Sequence, residues 1–581
     1  MKKRMIGALG VIAALVLTAG IVWVVSKAGR AITIDEQNFP DAVFRAYVSE
    51  NYDTDHDGSL TPGERRAVKE CLVSRKEIQS LQGIEHFPNL EKLDCSLNPL
   101  RRLNVSKNTR LTSLNVRGGE VTKDDYIKYE NGTLIMLDVS GCEALLELDC
   151  ACNSLVGLDL SGCPDLGYLD CSFNPMMSLD VSGMKKLKTV DVCGGKTMSA
   201  AVVVPEQGEL RELKLDGCTA LEHLDLSYQP LKELDVSGLP NLVSLRCKFS
   251  LENVDVSSNE KLESLICGGW YYMSLETLTI KSSTVLKELD LQYCDSYEPD
   301  PGMFPNLEVL DVACTNIDHL DVSHNPELRI LRCQSNYLTE LDLSQNPKLT
   351  VLNCDSNELE ELDLSTCPDL EELRCEYLKL KKLDLSHNPA LVTLACSENN
   401  IRSLDVSRAS GLKYLCCLHD RLKDLDVSQN PILTELLCDD NEIGELDISN
   451  NDLLEVLSCS YNRVSELDLS GKTALKVLRC SKNWLKELDI SQCISLEELY
   501  CSENVLYDLD VSHNTAMLYL RCTDCSLNTL DVDKCSNLKY IDCRRNRLGR
   551  LDLTGIPVNE LYVDEDVSLT GLGEDVDIWR Y

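Results

Sequence analysis

The chain has 581 residues and a formal net charge of −38, with 57 Lys and Arg against 95 Asp and Glu. This length exceeds what one compact core holds, so the chain forms either several domains or a repeat array. The acidic balance excludes a nucleic-acid partner, because affinity for a phosphate backbone comes from clustered Lys and Arg.

The N-terminal segment predicts a membrane anchor. Residues 5–25 carry no charge and follow Lys2, Lys3 and Arg4. A helix of that length rises about 30 Å, the thickness of a bilayer core. We therefore predict that residues 1–30 are a signal-anchor transmembrane segment and that the rest of the chain lies outside the cytoplasm, at the cell surface. The alternative is cleavage near Ser26-Lys27-Ala28, which would make the protein secreted.

Residues 53–64 have the twelve-residue spacing of an EF-hand calcium loop. Hard Ca²⁺ prefers six to eight oxygen ligands, which such a loop supplies from positions 1, 3, 5, 7 and 12. In this sequence those positions are Asp53, Asp55, Asp57, Ser59 and Glu64. The sequence therefore predicts a Ca²⁺ site with these five ligands. The alternative is an acidic turn without metal, in which Thr61 and Glu64 form only a helix capping box.

Apolar residues flank this loop at helical spacing and predict a helix on each side. The two stripes are Phe39, Val43, Phe44 and Tyr47 before the loop, and Ala67, Val68, Cys71 and Leu72 after it. We predict that residues 31–77 form a small helix-loop-helix, EF-hand-like cap. The chain has one such loop, whereas EF-hands usually pair, so the site should be weak.

From Cys333 onward the sequence repeats every 21 residues, with a Cys at each of eleven successive positions up to Cys543. Each unit reads LxxLxCxxNxLxxLDLSxNPx. An Asp column runs equally regularly from Asp321 to Asp552. In an extended LxC segment alternate residues face opposite ways, so Leu and Cys point inward. Stacked turns then bury a continuous Leu and Cys core, and the Asn side chains can bond the backbone of neighbouring turns.

This pattern resembles the leucine-rich repeat, in the nested bacterial form of internalin-like surface proteins. The resemblance covers residues 78–565 and implies a solenoid of about 22 turns of parallel β-strand coils, mostly strand and loop, with residues 566–581 as a C-terminal cap. Leu378, Asp420 and Cys525 replace the Asn after the strand, and we expect the Asn ladder to be interrupted there.

The 29 cysteines are expected to be mostly free thiols. Cysteine stands where other units carry Val or Leu, so it substitutes as a small buried hydrophobe. In-register neighbours are close enough for a disulfide but their parallel side chains seldom give the torsion of about 90°. The CxxC spacing of Cys522 and Cys525 is interpreted as coincidence.

The residue before each ladder Cys varies from unit to unit, unlike the constant Asp column, which reads as structural and solubilising. Leucine-rich-repeat proteins generally bind partners through such variable strand residues, and Arg and Tyr are common interface anchors. The predicted binding residues are Arg332, Arg374, Arg479, Tyr500 and Arg521. They can equally be ordinary solvent-facing side chains.

Four insertions break the register at residues 117–133, 193–209, 268–274 and 292–306. All follow the same strand, so we expect them to crowd one rim of the solenoid. They are rich in aromatic residues, including Trp270, Tyr271 and Tyr272, and therefore predict a recognition rim. The alternative is a set of loops that pack only on each other.

No catalytic motif occurs, and the acids repeat too uniformly for one perturbed pair to stand out, so we expect no enzyme. The prediction is a cell-surface or secreted bacterial binding protein with Ca²⁺ in its N-terminal cap. Its partner would be a protein or glycan outside the cytoplasm. Resemblance to internalins implies adhesion, by scaffold analogy. The alternative is a structural calcium-binding envelope protein without a specific soluble ligand.

Overall fold

The computed structural model describes residues 29–119, 121–122, 128–129, 132–194, 209–269, 275–294, 300–573 and 576–581. The predicted anchor lies outside these residues, as do most of the four insertions. Within the described part of the chain, no helix is long and apolar enough to cross a bilayer. The chain divides into two compact units, Met1–Lys281 and Ser282–Tyr581, called unit 1 and unit 2.

Unit 1 begins with the predicted helix-loop-helix. Helix α1, Ala42–Asn51, starts at Asp41, whose carboxylate accepts hydrogen bonds from the Val43 and Phe44 amides. Helix α2, Pro62–Ala67, starts at Thr61, which forms the expected capping box with Glu64. Between them, strand Ser59–Leu60 pairs antiparallel with strand Ile32–Thr33.

The predicted apolar stripe through Leu72 is wrong as a helical feature, because α2 ends at Ala67. Cys71 instead lies in strand Glu70–Leu72, which pairs in parallel with Lys92–Asp94. Cys71 is fully buried while Leu72 is 46% exposed, the alternation of a strand. Tertiary pairing with the next turn therefore overrides the local helical spacing.

Both units are parallel β-solenoids, together of about 23 turns, consistent with the predicted leucine-rich-repeat fold. Each turn contributes one short ladder strand that pairs in register with the strand of a neighbouring turn. The ladder strands of unit 1 are Glu70–Leu72, Lys92–Asp94, Ser113–Asn115, Glu147–Asp149, Tyr168–Asp170, Thr189–Asp191, His223–Asp225, Ser244–Arg246 and Ser264–Ile266. Those of unit 2 are Glu288–Asp290, Val309–Asp311, Ile330–Arg332, Val351–Asn353, Glu372–Arg374, Thr393–Ala395, Tyr414–Cys416, Glu435–Leu437, Val456–Ser458, Val477–Arg479, Glu498–Tyr500, Tyr519–Arg521, Tyr540–Asp542, Glu560–Val563 and Asp577–Arg580.

The inward and outward directions follow the predicted alternation. In strand Ile330–Arg332, Leu331 is fully buried, as is Cys333 just after the strand, while the first and third residues are partly exposed. The term strand face is used here for the outward residues of the ladder strands. These are the first and third residues of each strand and the residue two places after the third, for example Ile330, Arg332 and Gln334. The side chains of the strand face project from the outer side of the parallel sheet of ladder strands. The inner side of this sheet packs on the Leu and Cys core.

The Asp column shapes the other half of each turn. The Asp342 carboxylate accepts a hydrogen bond of 2.9 Å from the Ser344 amide, and the same turn recurs along unit 2. A few of these segments form further strand pairs. The parallel pairs are Arg102–Asn104 with Met136–Asp138, Ser178–Asp180 with Glu212–Lys214, Asn253–Asp255 with Thr277–Thr279, and Arg550–Asp552 with Ser568–Thr570; Val121–Thr122 pairs antiparallel with Lys128–Tyr129. In the described part of the chain, 3₁₀ helices occupy Ile84–His86 and Pro301–Met303.

The predicted Asn ladder is confirmed. Asn357 Nδ2 donates to the Cys333 carbonyl of the preceding turn at 2.9 Å, and its Oδ1 accepts from the Leu338 amide. At Asp420 the ladder loses its donor: Oδ1 still accepts from the Ile401 amide, but buried Oδ2 has no hydrogen bond within the described structure. Burial raises the pKa of Asp420 to about 7.

The Asn that precedes Pro in the repeat forms a second Asn ladder, which was not predicted from the sequence. Asn346 is fully buried, and its Nδ2 donates to the Val322 and Asn325 carbonyls at 3.0 Å. In one turn Lys472 takes this place with no exposed surface, and its Nζ lies 2.8 Å from Asp452 Oδ1.

The 29 cysteines all lie in the described residues; none of them is in a disulfide, and all but Cys314 are buried. Burial raises the pKa of ladder thiols, for example that of Cys333 to about 12. These thiols are therefore packing groups, as their alternation with Val and Leu predicted.

Candidate functional site

The first candidate site is the loop between α1 and α2. Carboxylate oxygens of Asp53, Asp55 and Asp57 all lie within 4.8 Å of one another. Asp53 is only 2% exposed, and its carboxylate accepts from the Asp57 and Gly58 amides, which wraps the loop around it. Gly58 has a φ of +80°, which favours glycine at this turn. The sequence-predicted aspartates are thus brought together.

Glu64 is not a member of this aspartate cluster, and both of its carboxylate oxygens accept hydrogen bonds within the loop. Its Oε1 accepts hydrogen bonds from the Thr54 amide and hydroxyl, and its Oε2 accepts from the Thr61 amide and hydroxyl. These bonds, with the Thr54 hydroxyl first, lower the pKa of Glu64 to about 2. Glu64 therefore ties the two ends of the loop together and stays ionised above that pH.

The loop's partner is also unusual. EF-hand loops usually pair with a second loop, but here Ile32–Thr33 supplies the opposing strand. The Ile34 amide adds a hydrogen bond of 2.9 Å to the Gly58 carbonyl. This segment supports a single loop from outside, a device that the sequence analysis missed because two-residue strands carry no pattern.

The second candidate site is the strand face of unit 2, which carries the predicted binding residues. Arg374 lies 3.1 Å from Asp355 and 2.8 Å from Glu376. Arg479 reaches Glu498 at 3.1 Å and stacks over the Tyr500 ring at 5.2 Å. Ion pairs between neighbouring turns therefore hold these guanidinium groups in place on the face.

The C-terminal end of this face is aromatic. Tyr519, Tyr540, Tyr562 and Trp579 lie on successive turns, with ring centroids 6.0, 5.5 and 6.2 Å apart along the row. Tyr519 and Trp579, at its two ends, are 40% and 52% exposed. We call these four residues the aromatic row.

Two arginines hold this end together. Arg521 and Arg544 approach fully buried Asp542 at 3.3 and 2.7 Å. The Arg544 guanidinium also lies over the Tyr562 ring at 5.0 Å. The aromatic row was missed because Tyr562 and Trp579 lie in degenerate units, outside the perfect 21-residue period. The predicted Trp270, Tyr271 and Tyr272 lie outside the described residues.

The strand face of unit 1 differs in charge. Asp149, Asp170, Asp191 and Asp225 follow one another as third residues of their strands. The Arg117 guanidinium pairs with Asp149 at 2.9 Å and also with Asp170. Carboxylate oxygens of Asp191 and Asp225 lie within 4.8 Å of each other and of the Cys193 sulfur. This column concentrates negative charge on unit 1.

Two of these carboxyl groups, those of Asp149 and Asp191, are perturbed, contrary to the expectation that no acid would stand out. Burial, followed by repulsion from Asp170, raises the pKa of Asp149. Burial, followed by repulsion from Asp170 and Asp225, raises the pKa of Asp191. The signal was present as an Asp at the outward third position of four successive units. Only the in-register pairing of the strands shows that these carboxylates are neighbours and repel one another.

Comparison with known proteins bears on the fold. No family model matches the chain, and no curated protein matches it. Among solved structures, PEPR1 with AtPEP1 is 16% identical, with 85% of this chain and 80% of that chain covered and a TM-score of 0.51. YopM from Yersinia enterocolitica WA-314 is 22% identical, with 89% and 92% covered and a TM-score of 0.48. The functional domain of InlJ from Listeria monocytogenes, described as including a cysteine ladder, is 24% identical, with 85% and 82% covered and a TM-score of 0.34.

At these identities the similarities concern the fold alone. The chain is a repeat protein with a leucine-rich-repeat type of parallel solenoid, as the sequence resemblance predicted.

Proposed function

We propose that this protein is a recognition protein whose unit 2 strand face binds a protein partner. The carrying observation is the surface formed by Arg479, Tyr500, Arg521 and the aromatic row. Tyr, Trp and Arg are enriched among the residues that dominate the binding energy of protein interfaces. Tyr and Trp bury large areas with few rotatable bonds, and Arg supplies several hydrogen-bond donors in a fixed planar geometry.

The surface is also preorganised. Parallel strands fix the backbone, and the ion pairs of Arg479 with Glu498 and of Arg521 with Asp542 restrict the side chains before any partner arrives. Less conformational entropy is then lost on binding. We expect no enzymatic activity.

A displayed library of random peptides tests the proposal. Peptides enriched on the wild-type chain should lose at least tenfold in affinity for Tyr500→Ala and Tyr562→Ala. Glu487→Ala is the matched control, since Glu487 is exposed on the other half of a unit 2 turn. Equal affinity for all four proteins, or loss only with Glu487→Ala, would exclude the strand face as the binding surface.

We also propose that Asp53, Asp55, Asp57, Ser59 and Glu64 bind Ca²⁺ in the N-terminal cap. The donors are all oxygens, which Ca²⁺ prefers, and the clustered aspartates repel one another until a cation lies among them. Bound Ca²⁺ would offset half of the charge of the four loop carboxylates and would link the loop to α2. Glu64 would have to share its carboxylate between the ion and the Thr hydrogen bonds.

Calcium binding predicts a small stabilisation. An unpaired extracellular-type site has a Kd of about 10⁻⁴ to 10⁻³ M, so about 2 mM Ca²⁺ should add roughly 0.6 to 1.8 kcal/mol to the stability of the cap. Glu64→Gln should weaken Ca²⁺ binding strongly in calorimetric titration while circular dichroism shows the solenoid intact. Asp566→Asn, in the acidic stretch near the C-terminus, is the control. Unchanged Ca²⁺ affinity in Glu64→Gln would refute the ligand set.

We further propose that residues 5–25 anchor the protein in a membrane, with the repeats at the cell surface. The charge pattern of the sequence supports this placement. The competing function is a structural envelope protein that binds Ca²⁺ without a soluble ligand. It would be favoured if Ca²⁺ removal disturbed assembly at the surface while no library peptide bound the strand face.

A further inference from the structure

Cys525 occupies a position that Asn fills in most turns of unit 2. In the turn before it, Asn504 Nδ2 donates to the Cys480 carbonyl at 2.9 Å. In its own turn, the Cys525 sulfur takes over this bond and lies 3.2 Å from the Cys501 carbonyl oxygen. The side chain therefore points into the core, toward the ladder Cys of the preceding turn.

The Cys525 thiol therefore lies against Cys501. Its sulfur is within hydrogen-bond distance of the Cys501 backbone, and both residues have no exposed surface. Stacked ladder cysteines occupy the same position in successive turns, so their side chains run parallel. Cys501 and Cys525 come from different positions of the turn, three residues apart in the repeat, so their side chains are not in register with each other. The geometric objection to disulfides within one column does not apply to this pair.

The two thiols also differ in acidity. The side-chain interaction with Cys501 lowers the pKa of Cys525, whereas burial raises the pKa of ladder thiols such as Cys354 and Cys459. The thiolate is the nucleophile in thiol–disulfide exchange, so Cys525 is the better attacking group of the pair.

We propose that Cys501 and Cys525 form a disulfide that links two consecutive turns when the folding chain meets a small disulfide donor. The Cys525 thiolate attacks one sulfur of the donor, forms a mixed disulfide and releases the first donor thiolate. The Cys501 thiolate then attacks the Cys525 sulfur and releases the second. The two protein thiols lose two protons and two electrons, and the donor disulfide is reduced to two thiols. Cys522, the other half of the CxxC spacing, takes no part.

The bond would lie beneath the proposed binding surface. Cys501 follows Tyr500 directly, and Cys525 lies in the same turn as Arg521. A link that closes this 24-residue separation would keep the two turns stacked even when the surrounding hydrogen bonds open.

Refolding in a redox buffer tests the assignment. The full chain, reduced and unfolded in urea with detergent, is refolded with oxidised glutathione; remaining thiols are alkylated, and the peptides are mapped by mass spectrometry without reduction. We expect one link between Cys501 and Cys525 and two fewer alkylated thiols per chain. The urea midpoint should also rise under oxidising conditions in the proteins that form the link, and not in variants that lack Cys501 or Cys525.

Two variants use residues that this chain carries at the same places. Cys525→Asn restores the ladder residue of other turns, and Cys501→Val copies Val312, the ladder residue of another turn. Both should fold and lose the link, whereas Cys522→Val should keep it. A Cys522–Cys525 link, glutathione adducts alone, links spread over many cysteines, or a full complement of alkylated thiols would each overturn the proposal.

Discussion

Asp420→Asn should stabilise the protein, and the gain should depend on pH. Asp420 is 7% exposed and occupies a position of the Asn ladder. In a turn with Asn at this position, such as that of Asn441, the side-chain amide donates hydrogen bonds to two backbone carbonyls. A carboxylate offers none. The amide would donate toward the Cys396 and Cys417 carbonyls, the equivalents of those that Asn441 contacts in the next turn.

The pKa gives the magnitude. Burial raises the pKa of Asp420 from 3.8 to about 7, so the folded state holds the proton more tightly than the unfolded state. The contribution of Asp420 to the free energy of unfolding is therefore most favourable below pH 4. It falls as the pH rises toward 7 and is constant above that. Ionisation of buried Asp420 lowers the free energy of unfolding by about 4 kcal/mol at high pH, and by about 2 kcal/mol at pH 5.5. Each regained hydrogen bond adds about 1 kcal/mol at any pH.

Urea unfolding at pH 8.5 and 5.5 measures the effect while avoiding the isoelectric point near 4.6. Since a solenoid opens locally, hydrogen exchange of the amides around residues 396–441 should report the same gain. Asp405→Asn is the control for charge, because hydrogen bonds from Ser407 lower the pKa of exposed Asp405. It should lose stability at pH 8.5. A gain for Asp420→Asn that is equal at both pH values, or a loss, would refute the argument from the buried charge.

Two further substitutions test buried charge in the same assay. Asp191→Asn should stabilise unit 1 at pH 8.5 and less at pH 5.5, because burial and the charges of Asp170 and Asp225 raise the pKa of Asp191 in the folded state. A pH-independent effect would contradict this. For buried Lys472, Lys472→Asn should be more stable than Lys472→Ala by about 1 to 2 kcal/mol, because Asn can rejoin the second ladder; equal stabilities would show that the ladder contributes nothing there.

The repeat period was enough to predict the solenoid. Strict spacing of Leu and Cys sets which residues face inward, and Leu331 and Cys333 lie where alternation placed them. The Asn ladder and its break at Asp420 also followed from the period, because an in-register stack brings identical positions together. Likewise the twelve-residue spacing was enough to group Asp53, Asp55 and Asp57.

Tertiary structure decided what depends on contacts between different positions of the turn. The end of α2 at Ala67 follows from pairing of Glu70–Leu72 with the next turn, and the support of the loop by Ile32–Thr33 bridges distant segments. The aromatic row extends beyond the regular repeat, and the approach of Cys525 to Cys501 joins two different columns. A linear pattern shows which residues share a column. Whether residues from different columns or irregular turns meet depends on how the chain packs in three dimensions.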